Sequence, residues 1–454
     1  MKHTTTILAE IRKFMEQNGL TLLQLSQKAG INTGSFSSIL NGKRLLNATH
    51  LDSITAALAL PEGYFYEQYI EEFLAQTAPD WRRAGPFLDR CAELDKLDCI
   101  RQVTGILLDN LMYLPLLFEA AEDFFQRGLK EASAILYENV AMSERMQHSE
   151  RLAMCQYRLF LLRQGEDQEK NYQAAIQFEP FVDRLDEFDQ LDALKDLGNT
   201  YRCLYRWDQV EKIAHEMELK AKMQYTLNLQ SGRNAHSPKK PSRPLFSYLA
   251  LSNLFLADVY NAKGDYEQAL RYTYAYADLS WVKETDKDTL HWKELFQKWA
   301  EANLYVIKLS SGDVSVLPDY IAYIETKEEE ILPALVIILR AANQYNINVD
   351  DILLRFDSYI TASIKEQQAT DVYTDQFMSN SLAFLLYELA KYQLNKSSYK
   401  EVFDALQISL EKSVIINNKT CLIRCRCAGL LELLCRLGYS FADEQSPKKE
   451  CSLT

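Results

Sequence analysis

Residues 29–44, AGINTGSFSSILNGKR, combine small polar side chains with two cations at the C-terminal end. Hydroxyl and amide groups can hydrogen-bond to the edges of bases, and cations just beyond them can contact phosphates. Such chemistry suits a helix that enters the major groove, because its exposed side chains must be small or polar. The residues predicted to contact DNA are Asn32, Thr33, Ser35, Ser37, Ser38, Asn41, Lys43 and Arg44.

Four short helices are predicted to position these side chains. Thr21 caps the second helix, Gly30 makes the turn that follows, and either Asn32 or Thr33 caps the third. Two helices joined by a tight turn that contains glycine form a helix-turn-helix arrangement. The alternative to a DNA-binding motif is a small helical bundle without a ligand. A phosphate-binding P-loop is disfavoured, because no G-x-x-x-x-G-K-[ST] pattern occurs. The remaining predicted boundaries are helix ends at Asn18-Gly19 and Asn41-Gly42 and a fourth helix that opens at Thr49.

Charge is divided unevenly along the chain. Residues 1–60 hold six Lys or Arg and three acidic residues, a net charge of +3. Because the whole chain has a net charge of −13, the other residues together carry −16. A small basic segment on an acidic body argues against nucleic-acid binding by the whole surface.

Composition and length bound the class of protein. A chain of 454 residues is too long for one ordinary core, and only 15 Gly and 11 Pro favour long helices over strands and turns. The apolar run Ile331–Leu339 is far shorter than the roughly 20 residues that span a bilayer. The N-terminal residues lack the apolar stretch of a signal peptide, and nine scattered Cys suit reduced thiols. We therefore expect a cytoplasmic protein without a membrane partner.

Two patterns resemble metal sites without completing one. His215-Glu216 begins an H-E-x-x-H pattern, but position 219 is Leu. Cys421 and Cys425 share a helix face near Cys427 and Cys435, yet apolar neighbours favour buried core thiols over ligands. With no nucleophile motif and no carboxylate pair, the sequence predicts neither an enzyme nor a metal or cofactor.

The body, about residues 90–440, shows helical periodicity and weak internal repeats. The segment 194–214 aligns with 254–272, matching Gly198 with Ala257 and Tyr201 with Tyr260. Weaker copies of the pattern lie near residues 120–132, before these segments, and near residues 389–402, after them. Repeated helical hairpins leave apolar faces that only their neighbours cover, so an array is predicted. The polar insertion at 228–246, with three prolines, is predicted to be a long loop.

Two family resemblances rest on these residues. LTLLQLSQKAGINTGSFSSILNGKRLLNATHLDSITAALAL is similar to the XRE (Cro/C1-type) helix-turn-helix domain, although Leu22 replaces a usual phosphate-gripping Gln. LADVYNAKGDYEQAL resembles the tetratricopeptide (TPR) repeat. Together they predict an all-α chain with an N-terminal helix-turn-helix domain followed by a right-handed TPR-like helical-hairpin solenoid.

The TPR resemblance implies a groove lined by the first helix of each hairpin. Asn is apt there, because its amide can both donate to and accept from a peptide backbone. The alternative for any one position is an ordinary exposed polar residue. The predicted peptide-binding residues are Lys195, Asn199, Arg202, Asp258, Asn261, Lys391 and Asn395.

The combined architecture resembles the RRNPP family of peptide-pheromone receptors of Gram-positive bacteria. This resemblance implies a quorum-sensing transcription regulator: a homodimer that binds double-stranded DNA and is switched by a short signalling peptide in the groove. The alternative is a TPR interaction protein that sequesters a signalling protein. The predicted ranges are 1–60 for the DNA-binding domain, 61–85 for a linker helix, 86–440 for the peptide-binding and dimerisation domain, and 441–454 for a flexible tail.

Overall fold

A computed structural model gives the fold of most of the chain. Its described residues contain helices and turns but no strand, which confirms the all-α prediction. The chain folds as two compact units, residues 1–162 and 163–454. The four predicted domain ranges stay predictions. The described residues are 6–146, 149–231, 241–365, 372–396 and 399–425.

The first unit begins with four short helices whose boundaries are set by side-chain caps. Thr21 and Gln24 form a reciprocal capping box, as the sequence predicts for Thr21. The predicted start of the fourth helix at Thr49 is wrong, because Asn47 accepts a hydrogen bond from the His50 amide and starts the helix at Ala48. The helices of this unit are α1 Ile7–Gln17, α2 Leu22–Lys28, α3 Thr33–Leu40, α4 Ala48–Ala57, α5 Tyr66–Tyr69, α6 Trp81–Glu93, α7 Leu97–Leu108, α8 Leu114–Gln126, α9 Lys130–Ser143 and α10 Glu150–Leu162.

The segment predicted as a linker helix packs into the first unit. Tyr66 and Tyr69 are almost fully buried, and their rings lie 4.8 and 5.0 Å from the ring of Phe87. Helix α5 passes into a π-helical turn, Ile70–Leu74, instead of continuing as one long α-helix. The boundary between the predicted ranges 61–85 and 86–440 falls inside a helix, since Gly85 and Pro86 both lie within α6, which Asp80 caps.

The second unit is an array of helices in which consecutive helices pack side by side. The predicted loop start at Asn228 is wrong, because the helix that contains it continues to Ser231. The rest of the predicted loop up to residue 240 lies outside the described residues, as does the predicted tail. The helices are α11 Gln168–Phe178, α12 Glu187–Cys203, α13 Trp207–Ser231, α14 Leu245–Lys263, α15 Tyr266–Ala277, α16 Lys287–Ser310, α17 Leu317–Ile324, α18 Glu328–Tyr345, α19 Asp350–Arg355, α20 Asp357–Lys365, α21 Val372–Asn395, α22 Tyr399–Ile415 and α23 Lys419–Arg424.

Gly198 allows a close approach between the first helices of two successive hairpins. A Cβ atom at this position would lie 2.2 Å from Cε2 of Phe255, which is on α14. The small residue brings α12 against α14.

Membrane-spanning potential is weak in the described part of the chain. No single helix there is both long and apolar enough to cross a bilayer. The bent pair 97–108 and 111–126 meets the length and composition requirement only when its two helices are taken together.

Substitution of Gly198 tests this packing. Gly198→Ala should lower the free energy of unfolding by about 1–3 kcal/mol, because overpacking outweighs the better helix propensity of Ala. Gly105→Ala is the matched control, since a Cβ there meets nothing within 4 Å, and it should stabilise by up to about 1 kcal/mol. Urea unfolding followed by circular dichroism measures both; a stabilising Gly198→Ala would contradict the packing.

Candidate functional site

Helix α3 is the second helix of the helix-turn-helix and is held by one buried face. Phe36, Ile39 and Leu40 are almost completely buried, as predicted. Asn32 is the cap, and its Oδ1 atom accepts hydrogen bonds from the amides of Gly34 and Ser35 at 3.0 and 3.3 Å. The cap also explains why glycine occupies position 34, because a Cβ atom there would lie only 3.2 Å from the capping oxygen of Asn32.

The predicted DNA-contacting side chains of α3 do not all point outward. Thr33 places its hydroxyl oxygen 2.9 Å from that of buried Ser26, so it joins α2 to α3. Ser38 donates to the carbonyl of Gly34 at 2.9 Å. Asn41 is exposed, and its amide lies 3.4 Å from the half-buried hydroxyl of Ser37. The outer face is therefore small, uncharged and able to exchange internal hydrogen bonds for bonds to a ligand.

Two exposed cations follow α3 directly. Arg44 donates to the hydroxyl of Ser35 at 2.9 Å, which draws its guanidinium toward the start of the helix. Lys43 has no side-chain partner among the residues that the structure describes. No acidic residue occurs between Glu16 and Asp52, so the segment 17–51 carries only positive formal charge. A cationic face without carboxylates is what phosphate contact requires.

His50 was missed by sequence reasoning and lies beside these cations. Its Nδ1 atom is buried without a hydrogen-bond partner in the described structure. Burial lowers the pKa of His50, and the nearby positive charge of Arg44 lowers that pKa further. The neutral imidazole therefore adds no charge to the cationic surface at neutral pH.

The loop that carries Lys43 and Arg44 is fixed by α5. The Tyr69 hydroxyl donates to the carbonyl of Leu46 at 2.9 Å, and both side chains are buried. Burial raises the pKa of Tyr69 to about 12, so the hydroxyl stays a donor at any ordinary pH. No local sequence pattern links two residues so far apart, which is why this anchor escaped prediction.

Asp52 makes a second connection between the helix-turn-helix and the helices after it. Its carboxylate accepts a hydrogen bond from the Tyr66 hydroxyl at 2.7 Å and from Nε of Arg90 at 2.8 Å. Glu72 makes a third, accepting from the amide of Ile7, the first residue of α1, at 3.1 Å. A carboxylate at a helix N-terminus satisfies an otherwise orphaned donor.

Comparison with known protein families agrees with this geometry. The sequence profile of the Cro/C1-type HTH DNA-binding domain matches residues 10–63. No curated protein sequence matches the chain. The first unit thus contains a helix-turn-helix domain of the class that binds double-stranded DNA in transcription regulators. The whole chain joins this domain to a helical body.

In the second unit, the structure brings together three of the seven predicted groove residues. Arg202 of α12 donates from Nε to Asp258 of α14 at 2.7 Å and from Nη1 to Asn199 at 3.4 Å. Lys195 pairs instead within its own helix, with Asp196 at 3.1 Å. These side chains are half-buried or buried and already engaged with one another.

The structure describes no hydrogen bond between the other predicted groove residues and this cluster. Lys391 pairs with Glu388 on its own helix at 3.3 Å, and Asn395 is exposed near the end of α21. Asn261 is half-buried, and its Oδ1 atom is buried without a hydrogen-bond partner in the described structure. No described hydrogen bond or ion pair joins Lys391 or Asn395 to the residues on α12 and α14.

Sequence reasoning also missed two asparagines, although a pattern could have found them. The order small residue, Asn or Asp, any residue, Tyr recurs at 198–201, 257–260, 302–305 and 342–345. Its polar member is Asn303 on α16, which donates to the Tyr276 hydroxyl at 2.8 Å. On α18 it is Asn343, which donates to the carboxylate of Glu388 at 3.0 Å. In three of the four copies, at Asp258, Asn303 and Asn343, the repeated polar position therefore bonds one helix to another.

The cysteines proposed as core thiols are buried where the structure describes them. Cys421 and Cys425 are almost fully buried, and their sulfur atoms are 4.0 Å apart. The Ser409 hydroxyl lies 3.3 Å from the sulfur atom of Cys425. Cys427 and Cys435 lie outside the described residues.

The electrostatic link between Arg44 and His50 can be measured directly. Arg44→Ala removes a nearby positive charge, so the pKa of His50 should rise toward its ordinary value of about 6.5. Because burial is the larger cause of the shift, the rise should be partial. NMR titration of the His50 ring protons measures it, with Arg101→Ala as a control; an unchanged pKa would place Arg44 elsewhere.

Proposed function

We propose that this chain is a transcription regulator that binds DNA through α3 and the following loop and is switched by a short peptide bound in the second unit. The observation that carries the DNA-binding part is the coincidence of a capped, small-faced α3 with two exposed cations and a matching family profile. Peptide control is the further step, and it is supported by the polar groups on the first helices of the array.

The outward face of α3 offers few strong contacts to bases by itself. This favours binding by two helix-turn-helix domains, one from each subunit of a dimer. The outward side chains of α3 are serines and asparagines without a cation on the helix, so direct readout from one head offers few strong base contacts. Two heads on half-sites separated by one helical turn, about 34–36 Å, add their contacts when their spacing fits. We therefore propose a homodimer whose spacing controls affinity.

The charges around the proposed groove are already paired, so a ligand gains little from them. Arg202 pairs with Asp258, and Arg340 and Lys391 share Glu388, at 3.4 and 3.3 Å. Breaking a half-buried ion pair to bind a ligand leaves a desolvated charge, which is unfavourable. Recognition by neutral groups is favoured instead.

Two unpaired amide oxygens offer such neutral recognition. Oδ1 of Asn261 and Oδ1 of Asn343 are both buried without hydrogen-bond partners in the described structure. Buried acceptors of this kind are uncommon and are satisfied by a donor such as a backbone N–H group. An extended peptide supplies N–H donors at regular intervals, which supports a peptide over a charged small molecule.

Phosphate contact by the two cations gives the first test. Lys43→Ala and Arg44→Ala should each weaken binding to a mixed-sequence duplex and reduce the slope of log K against log salt by about 0.9. Fluorescence anisotropy between about 50 and 200 mM salt measures the slope. Arg101→Ala, at an exposed α7 position paired with Asp98, is the control and should leave it unchanged. An unchanged slope in both variants would remove the loop from the interface.

The unpaired oxygen of Asn261 gives the second test. Asn261→Leu should reduce recovery of any peptide that co-purifies from native cells by about fivefold, the value of one hydrogen bond of about 1 kcal/mol. It should not lower the stability of the chain alone, because no internal bond is lost. Mass spectrometry of the released peptides measures recovery.

The control is Asn139→Leu, whose amide bonds only within its own helix, to Ile135 at 2.8 Å. A destabilised Asn261→Leu chain with normal peptide recovery would contradict a ligand role for this residue.

The second candidate is sequestration of a signalling protein by the helical body. A truncation near residue 80 would strip Tyr66 and Tyr69 from Phe87, so it would damage the remaining fold. A chain that begins at residue 163 keeps the second unit whole. Regulatory activity retained by this truncation would favour sequestration, and activity lost would favour DNA binding.

A further inference from the structure

The first and last described helices of the second unit are joined by a polar seam. The amide of Gln168 donates to the carbonyl of Ile416 at 2.9 Å. Asn417 donates from its side chain to Asp167 at 3.2 Å, and Lys419 pairs with Glu169 at 2.7 Å. These contacts link residues about 250 positions apart in the sequence.

Asn380 lies at the centre of the seam and is almost fully buried. Its Oδ1 atom accepts from the side chains of Gln168 and Asn418, the latter at 3.0 Å. Its Nδ2 atom donates to the carbonyl of Cys203, the last residue of α12, at 2.9 Å. One amide thus connects four elements: α11, α12, α21 and the turn before α23.

The seam joins the two ends of the described helical array. Stacking of repeats does not by itself require such a connection. Hairpin arrays need contacts only between sequence neighbours, whereas α21 also reaches α12 and the turn after it, where the ring of Tyr205 lies 5.1 Å from that of Phe384. Joining such distant residues costs loop-closure entropy. Asn417 in addition adopts a left-handed backbone, φ 52°, to make the turn that presents the Ile416 carbonyl.

The seam is easier to part than the other joints of the unit. Helices α18 and α21 share a large apolar cluster that includes Leu335, Leu339 and Leu385. Separating apolar surfaces exposes them to water, whereas parted amides and the exposed Lys419–Glu169 pair regain hydrogen bonds to water. Local opening should therefore begin at the polar joint.

We infer that this seam is a latch: residues 416–419 leave residues 167–169 while the hairpins stay folded, giving closed and open forms of the second unit. Opening frees Asn380 of α21 from the side chain of Gln168 or of Asn418, and α21 also carries the predicted groove residue Lys391. A ligand that prefers one form shifts the balance. This link to peptide control rests on the proposed function, whereas the opening itself does not.

One backbone amide reports the latch directly. Gln168 is the first residue of α11, so its N–H has no partner within the helix and bonds only across the seam. The amide of Lys170 bonds instead to the local cap, Asp167, at 3.1 Å. Residue-resolved hydrogen exchange on the full chain, without DNA or peptide, separates opening of the latch from fraying of the helix.

We expect the Gln168 amide to exchange at least about tenfold faster than that of Leu385 inside α21, because local opening needs less free energy than global unfolding. Lys419→Glu should speed exchange at Gln168 by a further two- to fivefold or so, with Lys170 and Leu385 unchanged. The double variant Glu169→Lys/Lys419→Glu should restore the original rate. Lys298→Glu, which breaks an exposed pair with Glu294 on α16, is the control and should change nothing at Gln168.

Exchange of Gln168 and Leu385 at one common rate would overturn the latch, because the seam would then open only on global unfolding. An unchanged Gln168 rate in Lys419→Glu would overturn it as well. Since no DNA or peptide is present, either result leaves the proposed function to be judged separately.

Discussion

The carboxylate of Asp52, bonded to Tyr66 and Arg90, is the contact on which the orientation of the DNA-binding surface depends. It lies on α4, immediately after the cationic loop, and its two partners belong to α5 and α6. If this half-buried carboxylate lost one partner, it would remain partly desolvated without compensation, which is unfavourable. The two bonds should therefore be kept together. Together with the bonds of Tyr69 and Glu72, it joins the helix-turn-helix to the residues that follow it instead of leaving a freely tethered head.

This attachment matters for how a regulator of this kind would work. If the head moved freely on a flexible linker, a change elsewhere in the chain would not reset its position. Because the loop that carries Lys43 and Arg44 is anchored to α5 through Leu46, a displacement of α5 would be passed to these two cations. In the second unit, the three predicted groove cations Lys195, Arg202 and Lys391 are each paired with a carboxylate.

Local chemistry made much of the fold predictable. The caps at Thr21 and Asn32, the glycine turns and the buried face of α3 follow from residue types and short spacings. Asn47 was overlooked because Thr49 is also a plausible cap, and the predicted linker range ends at residue 85, which lies inside α6. Each of these errors concerns a boundary and not the presence of a helix.

The parts of the site that sequence could not supply are long-range. Tyr69 to Leu46, Arg90 to Asp52 and Gln168 to Ile416 join residues with no shared local pattern. The asparagines at 303 and 343 were within reach, because they repeat the order already visible around Asn199 and Asp258. Prediction succeeded for the presence of helices and for local caps such as Thr21 and Asn32, and it failed where distant helices meet.

The most direct measurement of the central claim is selection of genomic DNA by the full-length chain at low salt, followed by sequencing of the recovered fragments. We predict enrichment of a small set of fragments that share two half-sites about one helical turn apart, and loss of that enrichment in the Lys43→Ala/Arg44→Ala double variant. Recovery of no fragments above background, or equal enrichment by the double variant, would contradict the account.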